Sequence, residues 1–177
     1  MSYFEVPPQP EPHDGIIEEW YSAPDDELGT EIGINKLLAT SPTGRITIRS
    51  IVAFSTGFEV RLLAEWAKEL SDDLEGSVVH SHSDHFLRVA VEYDDGSRTT
   101  NMDSDEPDDD TEDDDEPPTP PFMGYHHPQF MHPHGTERAL SFWIWSIPVQ
   151  GDVTVVCEWV AAEIPVVRFI LEGDELR

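Results

Sequence analysis

Arg45 to Trp66 reads RITIRSIVAFSTGFEVRLLAEW. Ile46, Ile48, Val52 and Phe54 alternate with Arg45, Thr47, Arg49 and Ala53, the pattern of a half-buried strand. Ser55-Thr56-Gly57 turns the chain. Phe58, Val60, Leu62, Ala64 and Trp66 then share a face, with Glu59, Arg61 and Glu65 opposite. Two such runs joined by a short turn predict a β-hairpin. Leu62, Trp66, Leu70 and Leu74 also repeat at four, so the strand is expected to end at about Trp66, followed by loop with at most one helical turn.

The same reading extends both ways. Ile34 to Thr40 is an earlier short strand. Phe86 to Tyr93 carries Leu87, Val89, Val91 and Tyr93 on one face, and Asp94-Asp95-Gly96 is a tight-turn signal, Asp-Gly supplying the positive φ that a two-residue hairpin needs. Ser97 to Asn101 returns. Leu140, Phe142 and Ile144 face one way, Trp143 and Trp145 the other. Pro148 ends that strand and Gly151-Asp152 turns. Val153, Val155, Cys157 and Trp159 share a face, and Val166 to Leu171 follows Pro165. Short strands with turn signals and hardly any helix predict an all-β chain, an antiparallel β-sandwich of immunoglobulin-like outline.

Two segments do not fit a core. Residues 1–33 hold Pro7, Pro8, Pro10 and Pro12 and read as an N-terminal arm rich in proline and acid. Trp20 and Tyr21 are its exception, and an adjacent aromatic pair in a polar arm is expected to dock, most simply on the domain's own surface. The domain proper is 34–177. Within it, 102–136 reads as a flexible insertion, a long disordered loop rich in acid, proline and histidine.

The chain has 177 residues, 37 acids and 10 bases, for a formal charge of −27. Asp103 to Glu116 (DSDEPDDDTEDDDE) contributes 11 acids and no base, leaving −16 elsewhere. Ten cations are too few to displace counterions from a nucleic acid, so neither direct nucleic-acid nor membrane binding is expected. Basic proteins or cations are the electrostatically permitted partners, and a protein partner is expected. MSYFEVPPQPEP has no signal-peptide character, and no apolar stretch approaches the roughly 18 residues of a membrane span. The expected compartment is the cytoplasm.

Phe142-Trp143-Ile144-Trp145-Ser146-Ile147-Pro148, Gly151 through Trp159 (GDVTVVCEW) and Ile164-Pro165 form one distinctive set. Ser55-Thr56-Gly57-Phe58-Glu59 and Leu87 through Gly96 (LRVAVEYDDG) form another. Together they resemble a family of small β-sandwich proteins from actinobacteria, high-GC Gram-positive bacteria. That family carries a YPTGFEF turn, a GVQFADGR strand-turn and a WVWPLPPPGPLTFVCEWP hairpin. The resemblance spans roughly residues 28 to 172 and implies the fold and a bacterial cytosolic origin. It departs where the family has a glycine-rich loop and this chain has histidines and prolines. It carries no activity and no catalytic residue.

The histidines are the main chemical lead. His80, His82 and His85 form one group, His126, His127, His132 and His134 another. In extended backbone His80 and His82 point the same way and can meet one Zn²⁺, Ni²⁺ or Cu²⁺. The plain alternative is exposed loop histidine, since no HExxH or finger spacing is present. An EF-hand is excluded, because Pro107 falls on a ligand position and no glycine follows. The acidic run is either a solvated linker or a mimic of a nucleic-acid backbone that inhibits a basic protein. Cys157, the single cysteine, shares its face with Val153 and Trp159 and reads as a core thiol rather than a nucleophile. Trp143 and Trp145, with Trp159, are candidates for a ligand platform, or for cover over the core edge. No phosphate loop and no serine elbow is present. The expectation is a non-enzymatic protein-binding or adaptor module with no cofactor, divalent-metal binding being the alternative. Trp20, Tyr21, Trp143 and Trp145 are the candidate partner-binding residues.

Overall fold

The computed structural model describes residues 20–67, 87–102, 119–124 and 136–176. Among them lie nine strands: β1 (Thr30–Thr40), β2 (Gly44–Ala53), β3 (Gly57–Trp66), β4 (Arg88–Tyr93), β5 (Arg98–Thr100), β6 (Phe122–Met123), β7 (Glu137–Trp145), β8 (Val153–Trp159) and β9 (Ile164–Leu171). A single 3₁₀ turn, Gly173–Leu176, follows β9, and no α-helix occurs among the described residues. The strands form two antiparallel sheets, in the orders β1-β2-β3-β7-β6 and β5-β4-β8-β9. The all-β expectation holds.

One apolar core draws on both sheets. Ile46, Ile48, Phe58, Val60, Leu62, Leu140 and Ile144 come from the first, and Leu87, Val89, Val91, Val155, Cys157 and Trp159 from the second. Alternation explains the selection. Every inward residue named for the strands at 58–66, 87–93, 140–144 and 153–159 is buried. Trp66 and Trp159 meet edge-on across the core, with ring centroids 6.2 Å apart. Tyr93 ties the sheets together at the far end of β4, its hydroxyl donating to the Ser146 carbonyl at 2.5 Å.

The seams between the sheets are bridged by polar contacts. Lys36 Nζ of β1 lies 5.1 Å from the centre of the Phe169 ring of β9. The Met123 N–H of β6 donates to Thr99 Oγ1 of β5 at 3.0 Å.

The structure corrects the reading in five places. First, Ile48 pairs with Leu62 and Ser50 with Arg61, leaving Arg49 as an extra residue in β2. This bulge reverses the facing of everything after it. Ile51, not Val52, therefore enters the core, while Val52 and Phe54 turn to the outer face. Second, β1 begins at Thr30, inside the expected arm 1–33. Third, Phe122–Met123 pairs with Trp145 and Ile144, so the expected loop 102–136 contains a strand. Fourth, the turn after Tyr93 has three residues. Gly96 N–H donates to the Tyr93 carbonyl, Tyr93 N–H to the Ser97 carbonyl, and Gly96 alone has positive φ, +85°. That is a type I turn closed by a glycine bulge rather than a two-residue turn. Fifth, β9 starts at Ile164 and includes Pro165, which a strand at the edge of its sheet tolerates.

Candidate functional site

The outer face of the β1-β2-β3-β7-β6 sheet carries a second, smaller apolar layer. Strand alternation puts Trp143 and Trp145 on this side of β7, as the sequence implied. The bulge at Arg49 adds Val52 and Phe54 to it, and β6 adds Phe122 beside Trp145. A strap of chain, residues 20–29, lies over these groups. Trp20 packs edge-on against Trp145 at 6.1 Å, and Phe54 against Trp143 at 5.6 Å. Tyr21 meets Phe122 edge-on at 5.9 Å. Such edge-to-face pairs are the geometry aromatic quadrupoles favour.

Glycines make the close approach possible. A Cβ on Gly124 would stand 2.5 Å from the Tyr21 carbonyl oxygen and 2.9 Å from that of Trp20. On Gly29 it would meet Val52 at 2.5 Å, and on Gly57 it would collide with the Ile144 carbonyl and the Trp143 ring. A carboxylate latches the end of the strap. Glu27 accepts the Ser55 N–H at 2.8 Å and the Ser55 hydroxyl at 2.6 Å.

Trp20 and Trp143 are buried by the chain itself. Tyr21, 39% exposed, and the half-buried Trp145 and Phe122 form the reachable part. Leu28 (98% exposed) follows Glu27 in the strap, and Val149 (87%) lies in the loop after β7. Trp159 is not part of any platform with Trp143 and Trp145. It is fully buried in the core, on the other sheet.

Further along the same face the surface becomes polar. Glu59 accepts Arg61 Nε at 3.0 Å and Nη2 at 2.7 Å, and also the Ser141 hydroxyl. Arg61 reaches Glu31 at 3.7 Å, and Arg45 reaches Glu65 at 3.7 Å. Pairs this exposed contribute about 0–1 kcal/mol each. They define where the apolar layer stops.

No family model, curated protein or solved structure matches the chain.

Nothing in the described core offers reactive chemistry. Burial pushes the Cys157 thiol up to about 12, so it stays protonated and inert near neutral pH. Burial likewise raises Tyr93 far above the usual phenol range. Desolvation lowers Arg138, buried near the start of β7. The candidate metal ligands His80, His82, His85, His126, His127, His132 and His134 lie outside the described residues, as does the acidic run 103–116. Among the described residues, no group of three or more His, Cys, Asp or Glu is arranged to hold a metal. Nor, among them, is any helix long and apolar enough to cross a membrane.

Proposed function

We propose that this chain is a non-enzymatic, cytoplasmic protein-binding or adaptor module built on an immunoglobulin-like β-sandwich. It meets a basic protein segment through Tyr21, Phe122 and Trp145. Strand order supports the architecture. With β1 set aside, β2-β3-β7-β6 and β5-β4-β8-β9 correspond to A-B-E-D and C′-C-F-G of the immunoglobulin plan. The likeness of the 55–59, 87–96 and 142–159 segments to small actinobacterial proteins points the same way. A fold alone carries no function, so the reading rests on the surface.

The observation that carries it is the contiguous aromatic set at the strap. Tyr21, Phe122 and Trp145 stay partly open, and the buried Trp20 holds them together by packing against both Tyr21 and Trp145. Rigid aromatic anchors are the commonest carriers of binding energy in protein interfaces. A chain of charge −27 attracts a basic partner, and Arg or Lys stacks favourably over such rings.

The test is titration with an array of Arg- and Lys-rich peptides, followed by tryptophan fluorescence. Tyr21→Ala and Trp145→Ala are expected to weaken the best binder about tenfold or more each, the scale of a hot-spot truncation. Peptide binding that both variants leave intact would refute the assignment of this surface.

One observation favours a second reading, divalent-metal binding by the two histidine groups. The Trp66 N–H donates to the Thr136 carbonyl at 2.8 Å. The described chain therefore leaves toward the first group, after Ala67, beside the point where it returns from the second. Elemental analysis of the purified protein tests it, with about one Zn or Ni per chain as the supporting result.

A further inference from the structure

We propose that the aromatic surface at the strap selects a proline-rich basic segment in the polyproline II conformation. This rests on the protein-binding reading above and names the class of its partner. Three rings are reachable: Tyr21, Phe122 and Trp145. Tyr21 lies 5.9 Å from Phe122, and the buried Trp20 lies 6.2 Å from Tyr21 and 6.1 Å from Trp145. Neighbouring ring planes cross at 49°, 65° and 83°, so the rings stand as ridges rather than as one flat floor. Aromatic ridges with grooves between them are what proline-rich ligands dock into.

Two donors on this surface are unspent. Among the described residues neither the Tyr21 hydroxyl nor the Trp145 indole N–H makes a hydrogen bond. What they can donate to decides the ligand's backbone. A helical ligand spends its carbonyls on its own N–H groups. A strand ligand needs an open sheet edge. The edge here is β6, two residues long, with its Met123 N–H already given to Thr99. A polyproline II segment makes no internal hydrogen bond, and its carbonyls stay open to donors. It is also ordered before it binds. That counts where only three rings are reachable, since little entropy is lost in fixing it.

Charge selects the residues beside the prolines. Asp25 and Asp26 stand exposed in the strap, four and five positions past Tyr21, and Glu27 follows them. The row that holds Trp143 adds Glu31 and Glu59. Against these five acids stand Arg49 and Arg61, and Arg61 is already held by Glu59 and Glu31. A further row adds Glu65 and Glu137 against Arg45. The far end, past Ser146, adds Asp94 and Asp152. The surroundings are net acidic, so arginine or lysine beside the prolines is drawn in and stacks on the open rings.

Isothermal titration calorimetry of the full chain tests this with a short capped peptide of two Pro-Pro pairs flanked by arginines. Its dissociation constant is expected on the order of 10–100 μM. Alanine in place of its prolines should weaken it about tenfold. Glutamate in place of its arginines should abolish binding. In the protein, Tyr21→Phe and Trp145→Phe keep a ring and remove a donor. Each should weaken the proline peptide about fivefold, with the circular dichroism spectrum unchanged. A basic peptide that binds through Tyr21 and Trp145 equally well without its prolines overturns this inference and leaves the protein-binding reading standing. Proline-dependent binding that neither phenylalanine variant weakens also overturns it. If no basic peptide binds, both fall.

Discussion

On the outside of the β1-β2-β3-β7-β6 sheet, tryptophan and phenylalanine are roofed by the chain's own residues 20–29. On the outside of the β5-β4-β8-β9 sheet, valine and isoleucine stand in solvent between two ion pairs. Both faces belong to half-buried antiparallel sheets, where alternation would leave polar side chains outside. The first departs from that rule with large aromatic groups, whose exposure would be costly, and the chain covers them. The second departs with small aliphatic groups at an edge strand, whose exposure costs little. The strap thus buries Trp143 and Val52 on one outer face and leaves Phe122 and Trp145 partly open there, while among the described residues no strap lies over Val166 and Ile170 on the other.

The comparison breaks most easily at Trp143. Its ring is buried between the sheet and the strap, so Trp143→Ala should cost about 3–5 kcal/mol in urea unfolding. A loss below about 1 kcal/mol would mean the outer layer is decoration. Next comes Trp20→Ala, which removes the roof and leaves the sheet intact. About 2–3 kcal/mol is expected from the apolar area returned to water. Limited proteolysis ahead of Gly29 should accelerate with it.

Tyr93→Phe addresses the tie between the two sheets. It removes the hydrogen bond to the Ser146 carbonyl, worth about 1 kcal/mol. It also changes the alkaline limb. Burial raises the Tyr93 phenol above its ordinary 10.0, so the folded chain keeps a proton that the unfolded chain releases. The contribution to stability is whole below pH 10 and drains away as pH climbs above it. Cys157, raised from 9.0 to about 12, acts with the same sign from a lower starting point. The phenylalanine variant should therefore flatten the decline in Tm above pH 10 without abolishing it.

The smallest effect belongs to the uncovered face. Ile170→Ala at dilute protein should shift stability by less than about 0.5 kcal/mol, as surface substitutions do. A larger loss would mean that β9 is packed on its outer side after all.

Most of the sheet framework was legible because a period of two marks burial one residue at a time. Phe58 through Trp66 and Val153 through Trp159 needed nothing else. Ser50-Ile51-Val52 was misread because a bulge inserts a residue without a composition of its own. Only pairing partners reveal that Ile51 and not Val52 faces inward. β6 escaped because two residues have no period, and it sits among prolines and histidines. Trp143 and Trp145 were placed on the correct side of their strand. Their cover was only half legible. The Trp20-Tyr21 pair announced docking, but Phe54, Phe122 and Glu27 carried no such signal. Gly29, Gly57 and Gly124 were the available clue, since each stands where an aromatic ring and a neighbouring backbone or side chain leave no room for a methyl group. The histidine and acidic segments were the loudest chemical signals, and they fall outside the described residues.

Asn101 has a consequence for how the domain keeps to itself. Its side-chain oxygen accepts the Val89 N–H at 2.8 Å, and its amide nitrogen donates to the Leu87 carbonyl at 2.9 Å. Beyond the three residues of β5 these two backbone groups would otherwise offer a sticky template for strand accretion by foreign chains. A single amide imitates one more rung of the ladder and then stops it, so fibrillar growth finds no foothold at that margin.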